Sequence, residues 1–176
     1  MIRVILYLAS IVIANVITAR FAPLQLGVLS IPWGTVLVGL TFIFRDLVQT
    51  RYGKKKTYLT IFTALALSAI SSYLLGDTLA IVLASAIAFI VAETIDTEIF
   101  SRMKSSFAKR VFISGLFGGL ADSVIFAVIG IGPLGAGYLP WEFVPNAVAG
   151  QFIVKTLMQV LGALALAFIY KKYIKR

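Results

Sequence analysis

The sequence predicts an all-α, polytopic membrane protein: a six-transmembrane-helix bundle with both termini on the cytoplasmic side. Three observations carry that prediction. Of the 176 residues, 60% are hydrophobic and only 13% are charged. A soluble domain of this length has too little interior to hide so much apolar surface. The apolar residues also fall into six runs, each close to the ~20 residues that cross ~30 Å of hydrocarbon. Finally, the basic residues between the runs collect on one side of the expected membrane.

Each run has its own boundaries. The first, residues 2–19, carries Arg3 at its start and is followed by Arg20. It is long for a signal-peptide core and is followed by no small-x-small cleavage site, so it reads as a retained span. The second, 29–48, carries Pro32 in its expected first turn, where proline is tolerated. Basic Arg51, Lys54, Lys55 and Lys56 follow it. The third, 57–75, ends at Gly76-Asp77, and the fourth, 78–100, leads into Arg102, Lys104, Lys109 and Arg110. The fifth is 111–131. Residues 132–145 hold Gly132, Pro133, Gly135, Gly137, Pro140 and Pro145 and read as a loop. The sixth run, 146–170, precedes Lys171, Lys172, Lys175 and Arg176. No stretch between runs could form a soluble domain, so residues 1–176 are expected to be one transmembrane domain.

Alternate loops take opposite sides of a bilayer. One side collects Arg3 and the three basic groups above, thirteen residues in all, and the other has Arg20 with Asp77 and Glu142. Positive residues favour the cytoplasm, so the N- and C-termini are expected there, in a multi-pass protein of the cell membrane. The net charge of +9 is then a matter of orientation, and no nucleic-acid partner is expected. Trp33 and Trp141 fall near the outer interface, where indoles commonly anchor. The chain has no Cys and no His, which removes thiol chemistry, histidine relays and the usual zinc ligands. No metal site, no cofactor and no enzymatic activity are expected. A Ser–His dyad is ruled out, and an aspartyl pair from Asp96 and Asp122 is the enzymatic alternative that remains.

Small residues let helices approach closely in lipid. Ala80, Ala84, Ala88 and Ala92 recur every four residues; Thr60, Ala64, Ser68 and Ser72 do the same; Gly115 and Gly119 form a G-x-x-x-G. These stripes read as bundle packing. The alternative is that one of them docks a second copy of the chain or an energising subunit.

Ionisable groups inside spans cost about 2.5–3.5 kcal/mol each near the helix centre, so each needs a reason. At 1.5 Å per residue, Asn15, Asp122 and Lys155 lie at a common mid-membrane depth of ~20 Å. Gln151, Lys155 and Gln159 repeat every four residues and share a helix face, which should point into the bundle or a wet cavity. Arg45, Asp46, Glu93 and Asp96 lie nearer the cytoplasmic ends. Arg45 with Asp46 reads as a structural ion pair or gate. Glu93 and Asp96 share one face and read as substrate- or proton-handling carboxylates.

In order along the chain, these residues resemble the vitamin uptake transporter family, best known for uptake of queuosine precursors. Ala14-Asn15 looks like that family's Ala-Asn. Asp46-Leu47-Val48 with Tyr52-Gly53 resembles its Asp-x-x-x-Glu-x-Tyr-Gly element, with Thr50 in place of the Glu. Glu93-x-x-Asp96-x-x-Ile99-Phe100 and Lys104 look like one helix signature. Arg110, Ser114, Gly118, Asp122-Ser123 and Phe126 look like the next, and Lys155 matches the last-helix lysine. The resemblance implies an importer of 7-cyano-7-deazaguanine or its aminomethyl analogue. A guanine-like edge offers N–H donors to a carboxylate and a carbonyl to Lys, Asn or Gln. The substrate-binding candidates are therefore Asn15, Glu93, Asp96, Asp122, Gln151 and Lys155. The competing expectation is the substrate-binding subunit of an ATP-energised vitamin transporter complex.

Overall fold

A computed structural model describes residues 1–21, 24–26 and 29–173 of the chain. Of the expected cytoplasmic charges, Lys175 and Arg176 lie outside the described residues. Helix α1 (Ile2–Arg20) is followed by a short antiparallel ribbon, β1 (Leu24–Leu26) and β2 (Leu29–Ile31), with Leu24 opposite Ile31. Then come α2 (Gly34–Leu74), α3 (Leu79–Arg102), α4 (Phe107–Ile125) and α5 (Val144–Tyr173). The end of α4 widens into a π-helical segment, Phe126–Ile131, and a 3-10 turn, Trp141–Phe143, precedes α5. Among the described residues, five helices are long and apolar enough to cross a membrane.

The expected six runs and these five helices differ at α2. Its 41 residues include Gly53, whose φ of 77° and ψ of 168° are not helical. A straight helix would separate residues 34 and 68 by ~51 Å. Both instead flank the same turn of α1. A side chain at Gly34 would run into the Ala14 carbonyl, while Asn15 Nδ2 donates to Ser68 Oγ at 3.0 Å and Ser71 Oγ at 2.8 Å. The chain therefore folds back at Gly53, and the two arms of α2 lie against α1. That backbone conformation is essentially restricted to glycine.

Three boundaries also differ from expectation. The second run does not begin its helix at Leu29: residues 29–31 pair in the ribbon and Pro32 precedes α2. An apolar run alone does not distinguish strand from helix. The helix of the fifth run, α4, starts at Phe107, ahead of 111. The last starts at Val144, so Pro145, expected in a loop, occupies the first helical turn, where its missing N–H loses nothing.

The packing stripes face inward. Ala84, Ala88 and Ala92 are buried, as is Ala64; Ala80 alone of the alanine stripe is exposed. Gly118 lets α4 sit directly on α3, where a Cβ would fall 2.9 Å from Asp96 Cβ and 3.1 Å from the Ala92 carbonyl. The alanine stripe is thus mostly filled within the chain. At the end of the bundle that carries the basic loops, Glu98 of α3 accepts from Tyr58 at 2.8 Å and pairs with Lys54 at 2.6 Å and Arg102 at 3.3 Å. These contacts tie the second arm of α2 to α3.

Gly53→Ala should lower stability by ~1–3 kcal/mol, because alanine is strained in that backbone region. Gly119→Ala should be neutral or stabilising, since its Cβ would meet only ordinary contacts at 3.8 Å and alanine favours the helix. Thermal unfolding of the detergent-solubilised variants checks both.

Candidate functional site

Among the described residues, two charge-bearing polar assemblies occupy the interior. The more fully buried one is built on Arg45, whose side chain has no exposure. Its Nη2 lies 2.9 Å from Asp46 Oδ1 and also pairs with Asp96, and its Nε lies 3.5 Å from Glu93 Oε2. Nη1 donates to Thr97 Oγ1 at 2.7 Å. Asp46, Glu93, Asp96 and Thr97 are all buried. The i,i+3 spacing of Glu93 and Asp96 puts both acids on one face of α3, turned towards α2. Tyr7 of α1 faces Glu93, and Ser114 of α4 lies against Asp96. Four helices therefore meet around Arg45 and its carboxylates. Gln49, one turn further along α2, donates to Ser101 Oγ at 2.7 Å.

The second assembly joins α4 and α5. Lys155 is 3% exposed, and its ammonium donates to Asp122 Oδ2 at 2.5 Å, Ser123 Oγ at 3.0 Å and Gln151 Oε1 at 3.3 Å. An ammonium has three donors, so these partners use all of them. Ser123 in turn donates to the Gly119 carbonyl at 2.7 Å. Gln151, Lys155 and Gln159 are all buried, and Gln159 Nε2 donates to the Val111 carbonyl of α4 at 2.6 Å.

Beside this pair lies a cavity of about 270 Å³. Its wall brings together Asn15 of α1, Asp122 of α4, and Gln151 and Lys155 of α5. Glu93 and Asp96 sit instead with Arg45. Asn15 is on the wall, but its amide nitrogen is engaged with Ser68 and Ser71. The cavity runs from this layer towards Pro32 and Asp77, at the end of the bundle opposite the basic loops. There Asp77 accepts from Ser72. Beyond the other end of the cavity stand the Arg45 cluster and the packed side chains of Ile43, Phe100 and Val111.

Several wall residues escape a reading by charge alone. Thr35, Thr41, Ser68, Ser72 and Ser85 supply hydroxyls, and Phe89 and Phe126 supply aromatic rings. Ser68 and Ser72 carry a helical i,i+4 spacing that sequence reasoning takes as packing. Phe126 opens the π-helical segment, and such segments recur at functional sites because they re-aim a side chain.

Removing Arg45 would leave three buried carboxylates without their cation. Arg45→Met should destabilise the protein by ~3–5 kcal/mol, and adding Asp96→Asn should recover part of that loss. A double-mutant cycle on unfolding in detergent measures the coupling.

Neither the curated proteins nor the solved structures include a match to this chain. A family described as "Putative vitamin uptake transporter" matches residues 32–170. That stretch runs from the end of the ribbon almost to the end of α5 and contains every cation and carboxylate of both polar assemblies. The chain belongs to the vitamin uptake transporter family.

Proposed function

We propose that the protein imports queuosine or archaeosine precursors, 7-cyano-7-deazaguanine or its aminomethyl analogue, across the cell membrane. The observation that carries this reading is the cavity. At about 270 Å³ it lies just below the ~300–1,000 Å³ usual for ligand pockets, a size for one bicyclic ring rather than a nucleotide. Its wall combines two carboxylates, an ammonium, two amides, hydroxyls and two phenylalanine rings. That set suits a flat ring with a polar rim.

The accompanying topology is six crossings, with the reversal at Gly53 and both termini in the cytoplasm. The basic loops support that orientation. In it, the cavity faces outward and the Arg45 cluster is the closed cytoplasmic gate. Transport would then proceed by opening the Arg45–carboxylate contacts while the cavity closes towards Asp77. The mostly buried alanine stripe gives no support to docking on an energising subunit through that face.

Uptake of labelled 7-cyano-7-deazaguanine in a strain unable to make it tests the substrate. Expression should restore the modified base in tRNA, and Asp122→Asn should cut uptake about tenfold or more, the scale of a lost charge-assisted hydrogen bond. Unrestored tRNA would refute the substrate. The chain has no native cysteine, so single cysteines report topology directly. Lys55→Cys and Ser105→Cys should react with an impermeant thiol reagent only from the cytoplasmic side, and Thr78→Cys and Ala136→Cys only from outside.

A further inference from the structure

We infer that Asp122 and Gln151 together read one edge of the substrate, a ring N–H beside a carbonyl, and that Lys155 is a positioning residue which does not touch the substrate. The inference rests on the cavity being the transport site, as proposed above, and deepens that reading.

The hydrogen bonds at Lys155 lead to it. Its three donors already meet Asp122, Ser123 and Gln151. A substrate carbonyl could bind the ammonium only by displacing one of them. The same bonds orient the two neighbours. Gln151 accepts from Lys155 through Oε1, so its amide cannot flip without setting two donors against each other. The Nε2 group is thereby directed away from Lys155. Gln151 is 2% exposed and borders the cavity, and Nε2 has no hydrogen-bond partner. A buried N–H without a partner is rare in folded proteins, and a ligand acceptor would complete it.

Asp122 is the complementary half. Lys155 occupies Oδ2, and a carboxylate can accept about four hydrogen bonds. The Asp122 side chain stays 18% exposed on the cavity wall. One ammonium thus sets an acceptor on α4 beside a donor on α5. A ligand matches this pair when it presents a donor next to an acceptor. The ring N–H of a lactam would bond Asp122, and its carbonyl would accept from Gln151 Nε2. The Asp122–Lys155 pair balances its own charge, so the edge it reads is neutral.

The test compares 7-cyano-7-deazaguanine with its 1-methyl analogue, which lacks the ring N–H, and its 6-thio analogue, which keeps the ring N–H but offers a weakly accepting sulfur in place of the carbonyl oxygen. Competition binding to the purified full chain in nanodiscs gives the affinities. The 1-methyl analogue should bind about 100-fold more weakly and the 6-thio analogue about tenfold more weakly. Gln151→Leu should erase only the discrimination against the 6-thio analogue. Lys155→Met should erase both discriminations together, an effect that a lysine serving only stability would not have. Full 6-thio discrimination retained by Gln151→Leu would overturn the inference. If that variant does not fold, the wild type still decides: equal binding of parent and 6-thio analogue overturns it. Xanthine and pterin separate the two proposals. If the wild type ignores the deazaguanine but binds one of these lactams, and rejects its ring-N-methyl form, the edge reading stands and the substrate reading falls. If none of the three lactams binds, the edge reading falls.

Discussion

The bundle is organised around a charge that cannot reach water. Arg45 has no exposed side-chain surface, and a lone guanidinium in lipid would cost at least several kcal/mol. It is tolerated because α3 turns Glu93 and Asp96 towards it and α2 adds Asp46. Tyr7 and Ser114 then bring α1 and α4 to the same carboxylates. This dependence runs in both directions. Without Arg45 the acids have no cation, and without the acids the cation has no place in the bundle. The close seat of Gly118 on Asp96 lets α4 join the cluster without a gap.

The two polar assemblies differ in how their charges balance. Lys155 faces one carboxylate, Asp122, and its remaining donors go to neutral oxygens. Arg45 faces three carboxylates. Interior charges interact strongly because little solvent screens them. The balanced pair can stand beside a cavity and hold a neutral ring without a large electrostatic change. The acid-rich cluster is more sensitive to any proton or cation that reaches it. The balanced pair and the acid-rich cluster thus sit on different helix pairs, α4 with α5 and α2 with α3.

Much of this arrangement was legible in the sequence, for physical reasons. Hydrocarbon demands long apolar runs, so the spans and the basic loops between them stand out. Helical rise places Asn15, Asp122 and Lys155 at similar depths, and all three border the cavity. The ribbon at 24–31 was hidden because short apolar segments fit strand and helix alike. The start of the last helix was hidden because Pro145 signals a loop and a first helical turn equally well. Ser68 and Ser72 looked like packing residues because small hydroxyls serve both packing and binding. The saturation of Lys155 was not legible at all: it depends on three acceptors from two helices converging within hydrogen-bond distance.

The first helix puts the family match in a different light. The match begins at residue 32, after α1 has ended. Yet α1 contributes Ile11, Ala14, Asn15 and Thr18 to the cavity wall and places Tyr7 at the Arg45 cluster. A protein trimmed to the matched stretch would keep every cation and carboxylate of both assemblies. It would also have a cavity open to lipid along one side. The shortest stretch that encloses the cavity is therefore longer than the region that sequence similarity marks out.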